Sequence, residues 1–238
     1  MKHNIFHTLL LFSCITVMSA QELPDFLLKA DSFLETYVTD GRVKYAAIKE
    51  RPDALNLLLA SAQNISVATS DAVNYQAFWI NAYNLLVIQG IVRNFPLKSP
   101  LDVAGFFDKI IYEIGGEQIT LNAIENKLLR ANFPTEARFH FVLVCAGLGC
   151  PPIINSAYKP ATLDAQLQEQ TVKALNDPNF IKVEKDKVGI SQLFDWYAED
   201  FVRDGTVVDF INTYRTEKLP ENVKVSYYPY DWNLNGVK

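Results

Sequence analysis

Histidine is scarce in this chain, occurring only as His3, His7 and His140. Any chemistry downstream of the first twenty residues that needs an imidazole must therefore use His140. Cysteine is scarce too: Cys14, Cys145 and Cys150. Two cysteines and one histidine match none of the common zinc spacings, so no metal site is expected. Phosphate-loop and dinucleotide fingerprints are absent, and no cofactor is expected. An excess of positive charge is lacking as well, with 22 basic against 27 acidic side chains. A net charge of −5, or −6 once Lys2 is removed, provides no electrostatic footprint for nucleic acid or an anionic membrane. The expected partner is a small molecule or a peptide. Beyond the first twenty residues no long apolar run is free of charges or turn residues, so no transmembrane segment is expected in the mature chain.

What is present begins with a leader. Lys2 is followed by an apolar run from Ile5 to Met18 and by Ser19-Ala20 before polar Gln21-Glu22, the layout of a secretory signal peptide over residues 1–20. The expected location is periplasmic, cell-envelope or extracellular. Lipid attachment at Cys14 is the alternative, but Phe12 fits that processing pattern poorly. Residues 21–238 then have the length and the 49% hydrophobic content for one domain.

Along that domain, helical spacing covers Asp25 to Val38 and Pro52 to Ala62, with Asp40-Gly41 opening a short extended piece around Val43 to Ala46. From Val73 to Asn94 apolar side chains go nearly all round, which predicts a central buried helix carrying Asn81 and Asn84 on one face. Gly115-Gly116 predicts a β-hairpin, and Asn122 with Glu125 has capping-box spacing for a helix from Ala123 to Ala131. Phe139 to Cys145 reads as a strand, followed by a loop at Gly147 to Pro152. Further helices are expected near Leu163–Asn176, Ser191–Phe201 and Val207–Arg215, with a hairpin through Asp186-Lys187 and a last strand at Val223–Tyr228. Hairpins mixed with helices predict an α+β fold: one compact domain whose antiparallel hairpins pack against a central buried helix.

Several of these segments carry a resemblance. Phe78-Trp79-Ile80-Asn81-Ala82-Tyr83-Asn84, Leu121 to Arg130 with Ile124-Glu125, Arg138 to Cys145 with Cys150-Pro151-Pro152, Phe194-Asp195-Trp196-Tyr197 with Asp200-Phe201, and Tyr230 to Asn235 together resemble the domain-of-unknown-function 547 family over about residues 70–235. The resemblance implies no settled biochemical function. It does lead one to expect a histidine after Glu125; the chain has Asn126 there, which weighs against a metal or proton-transfer role for that helix.

The chemistry centres on His140, Cys145 and Cys150. In one reading Cys150, in a glycine-rich loop, is the nucleophile of a cysteine-type hydrolase or acyl-transfer enzyme. His140 would then be its base and Asn81 or Glu125 would orient the imidazole. Distance opposes this: a straight strand puts His140 about 17 Å from Cys145 at about 3.4 Å per residue, on the opposite face. In the other reading Cys145 and Cys150 form a structural disulfide of a non-catalytic domain that binds a ligand or peptide. Asn84, Cys145, Tyr230 and Trp232 would line its cleft. For Glu125 the bland role is the capping box, for Asn81 and Asn84 a satisfied buried network, and for Tyr227 to Trp232 a staple for the C-terminus.

Overall fold

A computed structural model of the chain describes residues 15–237, with side chains from residue 22 onward. The leader and Cys14 lie outside the described residues, save for the backbone of residues 15–20. Helix α1 (Ile15–Tyr37) buries Phe26, Phe33 and Leu34 on one stripe. Asp40 and Gly41, both at positive φ, turn the chain between the two-residue strands β1 (Val38–Thr39) and β2 (Arg42–Val43). The extended piece expected to reach Ala46 stops there. Tyr45 and Ile48 bury one face of a short helix α2 (Tyr45–Glu50), and that burial overrides the local preference.

Helix α3 (Asp53–Ala62) buries Leu55, Leu58 and Leu59. With α1 and α2 it packs around α4 (Ala72–Asn94), in which every residue from Ala77 to Val92 is buried. This is the central helix that the all-round apolar pattern predicts. It stops because Phe95, preceding Pro96, is driven to extended backbone. Strands β3 (Tyr112–Ile114) and β4 (Glu117–Ile119) form the expected hairpin, with Gly115 and Gly116 at φ 66° and 77°, as a primed turn requires.

The next helix departs from expectation at its start. Thr120, not Asn122, is the N-cap: its hydroxyl accepts from the Ala123 N–H at 3.1 Å, and α5 (Leu121–Ala123) begins directly after β4. It widens into a π-helical stretch, Ile124–Arg130, closed by Ala131 N–H donating to the Asn126 carbonyl. Glu125 is therefore not part of a capping box.

The expected strand at Phe139–Cys145 does not form. Ala137–Phe141 is a 3-10 helix, and the six residues from Phe139 to Val144 are all buried with no strand partner. The Asn84 side chain of α4 takes the place of a neighbouring strand, donating to the Val142 carbonyl at 2.9 Å and accepting from the Val144 N–H at 2.9 Å. One side-chain amide thus supplies the donor and acceptor a peptide group would have offered, and the run stays curled rather than extended.

The C-terminal part holds α6 (Leu163–Asn176), β5 (Ile181–Val183) and β6 (Lys187–Ser191), then α7 (Leu193–Trp196), α8 (Ala198–Phe201), α9 (Val207–Tyr214) and β7 (Lys224–Tyr228). The single helix expected near Ser191–Phe201 is split at Tyr197. Strands β5 and β6 pair antiparallel; β7 returns through α7–α9 to pair parallel with β6. The whole is an α+β domain, but helices, not the expected hairpins, pack around α4, and the β5–β6 hairpin lies in the second apolar cluster. Apolar side chains gather in two clusters, one around α4 and one around Phe141, Phe194 and the three-stranded sheet.

Candidate functional site

A 3-10 helix has three residues per turn, so Phe139, His140 and Phe141 point about 120° apart. Phe139 enters the α4 cluster and Phe141 enters the second one. His140, between them, faces a cavity of about 300 Å³ at the seam. Cys145, Cys150, Glu125, Tyr230 and Trp232 line the same cavity. Curling of the expected strand removes the 17 Å separation, since separation along a strand has no meaning where no strand exists.

His140 Nε2 lies 2.8 Å from Asp200 Oδ2, and the same oxygen accepts from Arg130 Nε at 2.7 Å. Burial alone would raise the Asp200 pKa. Hydrogen bonds from His140 and Arg130, with the charges of those groups, outweigh it and hold the carboxyl well below the usual range. An ionised carboxylate only accepts, so the proton sits on Nε2, and Nδ1 makes no hydrogen bond to the described residues. The ring packs against Tyr197, tilted by 37° with centroids 4.1 Å apart, and the Arg130 guanidinium lies 4.7 Å from the centre of the same Tyr197 ring. The imidazole is thus oriented by Asp200 of α8, a residue to which the sequence pattern assigned no role.

Asn81 is engaged elsewhere. Its amide donates to the Ala77 and Tyr158 carbonyls and accepts from the Tyr158 N–H at 3.0 Å, pinning the loop at Tyr158 to α4 much as Asn84 pins the curled run. Neither asparagine lines the cavity.

Cys145 and Cys150 are disulfide-bonded. The intervening loop begins at Ala146, whose φ of 63° is left-handed and costs a residue with a side chain about 1–2 kcal/mol. The C-terminal tail holds the loop in place, with Leu148 N–H donating to the Asn233 carbonyl and Gly149 N–H to that of Asp231 at 2.7 Å. Gly149 must be glycine, because a Cβ there would sit 2.9 Å from both the Asp231 nitrogen and the Tyr230 ring. The Tyr230 hydroxyl lies 3.0 Å from the Cys145 sulfur and 2.9 Å from that of Cys150. Burial, with Tyr197 and Glu125 nearby, pushes its pKa far up, so it remains a donor to sulfur. The C-terminal aromatics therefore both staple the terminus and wall the cavity.

Glu125 reaches the cavity from the π-helical stretch. The Tyr83 hydroxyl of α4 lies 3.4 Å from its carboxylate, and burial first and the Glu125 charge second keep that phenol protonated. Asn126 joins Arg130 and Asn122 through its side chain, which helps hold the guanidinium against Asp200. Phe107, Trp196 and Tyr197 complete the aromatic lining. The sequence carried no sign of these three or of Tyr83 as lining residues, because the segments that bring them together are far apart along the chain. Among the described residues no group of three or more His, Cys, Asp or Glu side chains is arranged to hold a metal ion, and no helix is long and apolar enough to cross a membrane.

No curated protein and no solved structure matches the chain. A family model does match, over residues 68–173, from just before α4 to most of α6. That span contains α4 with both amide clamps, the π-helical Glu125 and Arg130, His140 and the disulfide loop, and the family whose model it matches is the one described as Protein of unknown function, DUF547.

Proposed function

We propose that the chain is an exported ligand-binding module whose working site is the cavity between the two apolar clusters. It is non-catalytic while Cys145 and Cys150 are joined. One observation carries this reading: the sulfurs of the only two cysteines after the leader are bonded to each other in the cavity wall, so the site has no thiolate. What remains is a largely aromatic concavity with a few converging polar groups, the usual make-up of a small-molecule site. Export rests on the leader pattern of residues 1–20 and places the chain where cysteine pairs oxidise.

A second reading is supported by the His140–Asp200 pair beside Cys150: after reduction, Cys150 would be the nucleophile of a cysteine-type hydrolase or acyl-transfer enzyme, with His140 as base and Asp200 in the orienting place first given to Asn81. Thiol titration of the folded protein separates the two. The binding module shows no reactive thiol before reduction and little dependence on His140 afterwards. Rapid labelling of Cys150 in the untreated protein, abolished by His140→Ala, would transfer the case to the enzyme. Export is tested by the first residue of the protein recovered from its native host, with Gln21 expected and an intact Met1 contradicting it.

A further inference from the structure

The charges around the cavity are unevenly spent. Asp200 faces His140, Arg130 and, at 3.8 Å, Arg203. Glu125 lines the cavity yet has no basic side chain within salt-bridge distance among the described residues, and no lysine or arginine lines the cavity. Its polar neighbours are the Tyr83 and Tyr197 hydroxyls, and Arg130, beyond salt-bridge distance, acts on it only through space. Glu125 is therefore the one carboxylate among the lining side chains, with no lysine or arginine beside it in that lining.

Aromatic side chains line the same space as that carboxylate. Trp196, Tyr230 and Trp232 form a triangle with ring centroids 4.8, 5.0 and 6.0 Å apart, and Phe107 joins Trp232 at 6.2 Å. Trp196 remains 48% exposed, so the aromatic wall is open to an arriving molecule. Ring faces carry the negative side of the aromatic quadrupole and attract a cation most when it is desolvated. An anion would meet these rings and Glu125 with no lysine or arginine among the lining side chains. A neutral apolar guest would strip water from Glu125 and give nothing in return.

We propose that the occupant of this cavity is a small organic cation, an amine or quaternary ammonium compound, held by the Trp196–Tyr230–Trp232 wall with Glu125 as its counter-charge. The proposal rests on the binding reading above and names the class of ligand. His140, tied to Asp200 through Nε2, lines the same space.

The test uses the whole oxidised protein and matched probes: choline against 3,3-dimethyl-1-butanol, which has the same shape without the charge, and benzyltrimethylammonium against benzoate. Binding is followed by calorimetry and by tryptophan fluorescence. Choline is expected to bind at least about tenfold more tightly than its neutral isostere. Glu125→Gln, which keeps the side-chain shape, should abolish that preference while its melting temperature stays near wild type, and Trp196→Ala should weaken both quaternary probes. Equal or tighter binding of the neutral isostere, or of benzoate, overturns the cation assignment and leaves the binding site standing. Silence from all four probes overturns the assignment and the binding reading together.

Discussion

Replacing Asp200 tests the polar frame of the cavity directly. Its Oδ2 accepts from His140 at 2.8 Å and Arg130 at 2.7 Å, and the three side chains are only 2%, 25% and 11% exposed for His140, Arg130 and Asp200. Asp200→Ala leaves the Nε2–H of a buried ring without an acceptor and removes the charge facing Arg130. Breaking a buried ionic pair from one side costs about 3–5 kcal/mol; Arg130 is a quarter exposed and recovers some water, so the lower end, about 3 kcal/mol, applies. For a chain of this size that lowers Tm by about 6–12 °C. Asp200→Asn keeps an oxygen for both donors and loses only the charge, and since charge-assisted bonds are about twice as strong as neutral ones it should cost about 1–2 kcal/mol.

The pH dependence gives a second handle. Asp200 titrates lower when folded than when unfolded, where a carboxyl of this type has a pKa of about 3.9. Its stabilisation is therefore complete above the unfolded value and is lost as pH falls through the folded one. Urea unfolding followed by circular dichroism, at neutral pH and again near pH 3, should show the wild-type advantage over Asp200→Asn shrinking in acid. An Asp200→Ala protein within about 0.5 kcal/mol of wild type, or an advantage independent of pH, would refute the reasoning.

Two further outcomes follow from the same structure. The disulfide spans a sequence separation of only 5, so loop-closure entropy limits its contribution to about 2 kcal/mol, and mild reduction should lower Tm by about 4–8 °C without unfolding the chain; an unchanged melting curve after verified reduction would contradict this. Asn81→Ala strands the N–H and carbonyl of Tyr158, itself 3% exposed, and should cost about 2–4 kcal/mol by urea titration while leaving probe binding in the cavity unchanged; a loss of binding in a fully folded variant would show that Asn81 shapes the site after all.

Much of the fold was legible because its signals are local. The all-round apolar α4, the Gly115-Gly116 hairpin and the helices α3, α6 and α9 each follow from a period or a turn that a short window contains. The failures have one cause. At Phe139–Cys145 the residues prefer a strand, but a strand needs a partner, and Asn84 from a helix far away in sequence satisfied the backbone instead. At Asn122–Glu125 two overlapping caps were possible, and the end of β4 selected Thr120.

The sequence by itself determined the inventory of candidate side chains: one imidazole and two sulfurs beyond residue 20, two amides on a buried helix and a set of aromatics, because composition and burial patterns need no partner to be read. Tertiary structure alone decided how they are deployed. Asp200 took the orienting place given to Asn81, Glu125 was released from a cap to face the cavity, and Trp196 and Tyr197 joined Tyr230 and Trp232 around it. The physical reason is that hydrogen bonds and ion pairs are satisfied by whatever group packing brings within about 3 Å, and that proximity arises between residues tens of positions apart.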